Sequence, residues 1–248
     1  MLKKMFLFFF GIMILSVTNA QDAKEIVKKA NDLAMGKTSR GTMTMTIERP
    51  TWSRTVSMKS WSMGNDYYMI LITEPARDKG QVFLKRGSDM WNYIPSINRM
   101  IKIPPSMMSQ SWMGSDFTND DLVKMNSIVE DYDHTITGSE NVGGYDCFKI
   151  QLIPHDDAAV VWGKIILWID KDEYYEMKVE YYDEDMKLVT IQTAGNIKQF
   201  GDRKLPSYME MIPVDKPGQK TIINTDEAEF NVEIPESFFS QQNMKQVK

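Results

Sequence analysis

One cysteine and two histidines are all that the 248 residues supply of the side chains most used in metal sites and nucleophilic catalysis. A single cysteine forms no internal disulfide, so Cys147, in the alternating stretch "GGYDCFKIQL", is expected to be a small packed side chain. His134 in "EDYDHT" and His155 in "PHDDAA" have no histidine at helical spacing and no CxxC beside them. No metal-ligand set is therefore spelled out. A G-x-S-x-G elbow is missing, and so is a glycine-rich phosphate loop ahead of a helix. Carboxylates are plentiful, as in "YYDEDM" and "TNDDL", but turns and helix starts account for them. The formal charge is −5 with no basic cluster, which leaves no footprint for nucleic acid or for an anionic membrane surface. No catalytic residue, metal or cofactor is assigned, and the chain is not read as an enzyme.

Long apolar runs are scarce too. One opens the chain: Lys3 and Lys4, then "MFLFFFGIMIL", then "SVTNA". This is the layout of a secretory signal peptide, cleaved after Ala20. The run is shorter than the roughly 20 residues a membrane span needs. No cysteine stands at the cleavage point to accept a lipid. The expectation is an exported, periplasmic protein without a stable membrane anchor. Residues 21–248 are the size of one large β domain, and no linker or repeat divides them.

What is present points to a sheet. "DAKEIVKKANDLAMG", 22–36, is the one clear helix: Ile26, Val27, Ala30, Leu33 and Ala34 form an apolar stripe, Asp22 is its expected N-cap and Gly36 its stop. The period then changes to two. In "GTMTMTIERP", Met43, Met45 and Ile47 face one way and the threonines the other. In "YEMKVEYY", Tyr175, Met177, Val179 and Tyr181 oppose Glu176, Lys178 and Glu180. Further strands are expected near 52–63, 66–73, 80–86, 89–94, 98–103, 129–137, 144–153, 163–170, 186–199, 204–212 and 219–229, with turn signals between them. No βαβ alternation occurs, so the sheet is antiparallel, of about ten to thirteen strands. Short helices are expected at 118–125, capped by Thr118, and at 235–241, opening on Pro235.

Several strands, "YYMILI" (67–72), "VFL" (82–84) and "IILWI" (165–169), are apolar on both faces. One long helix and two short ones cover one side of a large sheet, hardly two. Either the sheet closes around its own side chains or its concave face holds an apolar ligand. Met69, Ile70, Leu71, Trp91, Tyr93 and Trp168 are candidates for the cavity wall.

The loop "PPSMMSQSWMGSDF", 104–117, carries turn formers together with large apolar side chains. Loops lie at the surface, so Met107, Met108, Trp112, Met113 and Phe117 are candidates for a lid that faces lipid or fills an empty cavity. Of twenty methionines, seventeen lie beyond the leader, and flexible thioethers suit surfaces that must fit more than one shape. Copper(I) is the other use of such side chains. The pairs Met43/Met45 and Met209/Met211 follow equally from the period of a strand.

In "MWNYIPSINRMIKI", "SWMGSDFTNDDL", "GKIILWIDKDEYYEMKVEYYDEDMKLV" and "NVEIPESFF" the chain resembles the periplasmic outer-membrane lipoprotein-sorting proteins, which are LolA-like; the likeness spans 21–240, and "MGSDFT" marks one branch. The resemblance implies a mostly β, α+β fold: a strongly curved antiparallel sheet, an unclosed barrel, with helices as a lid. It implies an apolar cavity for lipid or for the acyl chains of lipoproteins, carried towards the outer membrane, with an inner-membrane exporter and an outer-membrane acceptor as further partners. A non-transporting sensor or interaction module of the same fold is the alternative. In the lipoprotein carrier that the chain resembles, an arginine near the start of the sheet controls the lid, and that role is not carried over. Arg40, Arg49 and Arg54 all lie there, and no flanking motif selects among them.

Overall fold

The computed structural model describes residues 16–123, 127–158 and 160–248, with side chains from residue 23 onward. Most of the expected leader, and the end of the expected helix 118–125, lie outside the described residues.

Thirteen strands form one antiparallel sheet: β1 (Thr38–Arg49), β2 (Trp52–Met63), β3 (Tyr67–Glu74), β4 (Val82–Arg86), β5 (Asp89–Ile94), β6 (Arg99–Lys102), β7 (Tyr132–Val142), β8 (Tyr145–Pro154), β9 (Lys164–Asp170), β10 (Glu176–Tyr182), β11 (Leu188–Phe200), β12 (Arg203–Pro213) and β13 (Lys220–Phe230). Their order is β6-β5-β4-β3-β2-β1-β13-β12-β11-β10-β9-β8-β7. Every neighbour but one is a sequential hairpin partner, and β1 with β13 is the seam that joins the two meanders. The outer strands β6 and β7 do not pair, so the barrel stays open. The seam is tight at Gly41, where a Cβ would meet the Glu227 carbonyl oxygen at 2.4 Å. A register shift beside it, between Thr42 and Met43, marks an irregularity in the β1–β13 ladder.

Helix α1 (Ser16–Met35) begins six residues ahead of the expected cap at Asp22, since neither glycine nor proline interrupts "SVTNAQ". It ends where expected: Gly36 takes φ +64° and its N–H meets the Asp32 carbonyl at 3.0 Å. Its stripe of Ala23, Ile26, Val27 and Ala30 packs on the concave face against Ile150, Leu152, Ile165 and Leu167.

Between β6 and β7 the chain folds into a compact cover with α2 (Asn119–Val123) and α3 (Ser127–Glu130). Thr118 caps α2 as expected: its Oγ1 accepts the Asp121 N–H at 3.1 Å, and Asp121 returns a carboxylate to the Thr118 N–H at 2.7 Å. The expected strand 129–137 starts later, at Tyr132, because α3 occupies its first residues.

The expected C-terminal helix 235–241 is a single 3-10 turn, Glu236–Phe238, with Pro235 extended before it. Its segment still accounts for much of the two-sided apolarity. Phe239 and Met244 are buried against Met69, Leu71, Val82 and Leu84, with Trp61, Trp91 and Tyr93 around them, on the convex face of β2–β5. A strap without helical periodicity thus supplies the cover that a count of helices misses.

Candidate functional site: an apolar cavity under a latched lid

The concave face is not filled. A cavity of about 450 Å³ lies between α1, the cover and the sheet, within the range of small-ligand sites. One wall is Met43, Met58, Tyr68 and Ile70 from β1–β3, closed by Trp112 and Phe117. The other is Ala30 and Leu33 of α1 with Ile165, Leu167 and Val179. Ala194, Met209, Met211 and Ile223 complete it from β11–β13. A second, more open hollow lies beside Lys85, His155, Asp131 and Asp157, and most of its lining residues are polar.

The exposed surface of the cavity is mostly apolar, but acids, phenols and amides are set into it. Burial raises the Tyr68 phenol to about 12, with Ser60 as its hydrogen-bond partner. Burial likewise raises the Asp121 carboxyl, although Thr118 opposes the shift. Glu176 reaches about 7, again through burial, with Gln192 as its one partner. Arg40 also lines the space, but its guanidinium is paired with Glu229 at 2.8 Å.

The cover is fastened by arginines. Arg49 Nη1 reaches Asp116 Oδ2 at 3.0 Å and the Lys220 carbonyl at 3.2 Å, while Nη2 donates to the Gly114 carbonyl at 2.7 Å. Thr221 completes the latch: its Oγ1 donates to Asp116 Oδ2 at 2.7 Å and accepts the Asp116 N–H at 2.9 Å. Arg54 Nη2 adds a bond to the Met113 carbonyl at 3.2 Å. The turn between them needs left-handed backbone at Met113, φ +53°, and at Gly114, φ +80°. Trp112 meets Phe83 edge-on, with centroids 5.4 Å apart. Yet Trp112 Nε1, Arg54 Nε and Asp78 Oδ2 are buried without a hydrogen-bond partner. Trp112 belongs to the cover and Arg54 is an arginine that reaches it, while Asp78, in the turn between β3 and β4, forms an ion pair with Arg54 at 3.8 Å.

The same architecture recurs in solved structures. A DUF1329 family protein from Desulfovibrio piger superposes with TM-score 0.83 at 23% identity, over 91% of this chain and 99% of that one. A LolA superfamily protein from Nitrosomonas europaea gives 0.76 at 22%, over 89% and 98%. An outer membrane lipoprotein-sorting protein domain from Vibrio parahaemolyticus gives 0.80 at 28%, over 92% and 100%. A family model described as "Uncharacterized protein" matches residues 64–246.

The chain belongs to the LolA-like family.

No curated protein sequence matches it. Within this LolA-like fold, the residues singled out from sequence separate by face. Ile70 lines the cavity. Met69 and Leu71, its neighbours on β3, point to the convex face and pack with Phe239, as do Trp91 and Tyr93. Trp168 is also on the convex side, packed with Cys147 and Met177. Lys149 and Lys178 lie over its ring at 4.8 and 4.3 Å. These five are therefore not wall residues: successive side chains of a strand point to opposite faces, and a run apolar on both faces does not say which is concave. Of the lid candidates, Trp112 and Phe117 line the cavity. Met108 and Met113 pack against the cluster of Met45, Ile47, Val56 and Phe83, and Met107 is 37% exposed.

The methionine pairs follow the strand period, with Met43, Met209 and Met211 in the cavity wall. Among the described residues no group of three or more His, Cys, Asp or Glu is placed to hold a metal. Cys147 is fully buried, and burial pushes its thiol up to about 11. Sequence reading missed Tyr68, Glu176 and Gln192. Glu176 sits in a strand whose alternation points it outwards, and only a bulge turns it in.

Proposed function

We propose that the protein is a periplasmic carrier or chaperone that takes the acyl chains of lipoproteins or lipids into this cavity and moves them towards the outer membrane. The observation that carries the reading is the space itself: about 450 Å³, walled largely by apolar side chains and roofed by a cover that is hydrogen-bonded rather than continuous with the sheet. Burying a methylene stabilises by roughly 0.8 kcal/mol, so an acyl chain of about ten methylenes gains on the order of 8 kcal/mol before entropy is charged.

A carrier must also release its load. The buried Trp112 Nε1 and Arg54 Nε have no hydrogen-bond partner, and each disfavours the closed cover by about 1–3 kcal/mol. Opening would let water reach them. The latch around Arg49 opposes that, so the two terms set a closed state that is stable but not deeply so. Delivery by an inner-membrane exporter and receipt by an outer-membrane acceptor complete the proposal.

The test is extraction. Protein purified from its native envelope is treated with organic solvent and analysed by mass spectrometry. Lipid or lipopeptide in near-stoichiometric amount supports the reading. A protein that is repeatedly empty and also fails to bind a fluorescent fatty acid contradicts it.

A further inference from the structure

The carboxylate of Glu176 is out of place in an acyl-chain cavity. Strict alternation along β10 would turn it outwards with Glu180. Instead, β10 pairs with β9 through a register shift between Glu176 and Lys178. The extra residue, Met177, goes to the convex side with Trp168 and Cys147. Glu176 then joins Val179 and Tyr181 in the cavity wall. Bulges re-aim side chains in this way.

Once inside, Glu176 is held in place. Tyr181 Oη donates to Gln192 Oε1 at 3.4 Å, and Gln192 Nε2 donates to Glu176 Oε1 at 3.3 Å. The chain of donors ends there. The second oxygen of Glu176 has no hydrogen-bond partner among the described residues. Among the described residues the one cation in the cavity wall is Arg40, which is paired with Glu229. Around Tyr181, beside Glu176, lie Asp121 of α2 and Tyr132 of β7, and Asp120, Tyr174 and Tyr175 line the same cavity. All of these are acids. A carboxylate removed from water without a counter-charge is costly, and a ligand that brings hydrogen-bond donors or a positive charge relieves that cost.

We propose that Glu176, positioned by Gln192 and Tyr181, is a binding site for the polar end of an acyl ligand that donates hydrogen bonds, an ammonium group above all. The proposal rests on the carrier reading and narrows it to a ligand class. Anionic ends, a carboxylate or a phosphate, meet four acids in the cavity wall, Asp120, Asp121, Glu176 and Glu227, and no free cation among the described residues. They are left at the mouth or rejected. An amine or hydroxyl carried on the chain is accepted inside.

Three probes with one alkyl chain and different ends test this: dodecylammonium, dodecanol and dodecanoate. Their affinities are measured by calorimetry at slightly alkaline pH for the wild type and for Glu176→Gln, with circular dichroism as the check on folding. A hydrogen bond to a charged group predicts about tenfold tighter binding of the ammonium than of the alcohol, with the carboxylate weakest. Glu176→Gln is expected to abolish that preference, so that ammonium and alcohol bind with similar affinity. Equal or tighter binding of dodecanoate by the wild type, or an unchanged order in the variant, overturns the site while the carrier reading survives. Failure of all three probes to bind overturns the carrier reading and the site with it.

Discussion

Arg49 Nη1 stands 3.0 Å from Asp116 Oδ2, and the two side chains are only 11% and 7% exposed. Arg49 ends β1, while Asp116 belongs to the cover between β6 and β7. The pair therefore ties the cover to the seam of the sheet. The second nitrogen of the guanidinium fork also holds the Gly114 carbonyl, a two-pronged geometry that a compact ammonium does not reproduce.

Arg49→Ala should therefore loosen the cover more than it unfolds the sheet. Removing one partner of a buried pair leaves the other uncompensated, on the order of 3 kcal/mol. Hydrogen exchange of the amides of 112–121 should quicken by about a hundredfold or more, with β8–β11 unchanged. Arg49→Lys should fall between the two. Unaltered exchange in the cover would remove Arg49 from the role of latch.

Trp112→Phe separates packing from polarity. The phenyl ring keeps most of the contact with Phe83 and discards the orphaned Nε1. Stability should change by less than about 1 kcal/mol or rise. Exchange in the cover should slow, and ligand release should slow with it. A loss of several kcal/mol would mean that the indole N–H has a partner when the cover is closed.

Glu176 makes stability depend on pH with a definite sign. Its carboxyl is raised from 4.5 to about 7 by burial. Below the lower value the group is protonated folded or unfolded and imposes no penalty. Between the two, the folded state retains a proton that the unfolded chain releases. Stability therefore falls as pH rises from 4.5 to about 7, by an amount on the order of 3 kcal/mol. Urea unfolding of Glu176→Gln against wild type should show the difference opening over that window and constant above it. The comparison cancels His134 and Asp121, whose shifts are common to both proteins. Parallel curves would place Glu176 in contact with water.

The sheet was legible because period two, turn residues and the Gly36 stop are local signals. Twelve of the thirteen strands begin and end close to their expected positions. The exception, β7, was displaced by α3, four residues with no periodicity to read. Composition pointed to the covering loop, since large apolar side chains among serines and prolines have no reason to stand in water, and Trp112 and Phe117 do line the cavity. The cavity wall was not, since Met69, Leu71, Trp91, Tyr93 and Trp168 differ from Ile70 only in the face their strand presents. That face is fixed by the strap at 231–248, which hides the convex side of β2–β5 with side chains as apolar as any in the cavity. Nor was the choice among three arginines. Arg40 pairs with Glu229, Arg54 reaches Met113, and Arg49 alone binds both Gly114 and Asp116. Glu176 was hidden by a one-residue bulge, which reverses a side chain without changing the composition of its strand.

The central claim is that the ligand lies inside the sheet. Ala194, on β11 opposite Met209, lines the cavity, and Ala194→Trp places an indole in that space. Native mass spectrometry of wild type and variant, each loaded with the same fatty-acyl probe, measures occupancy directly. The account predicts about one acyl chain per wild-type molecule and a loss of at least tenfold in affinity for a variant with an unchanged circular dichroism spectrum. Equal occupancy in the two folded proteins would put the ligand elsewhere and contradict it.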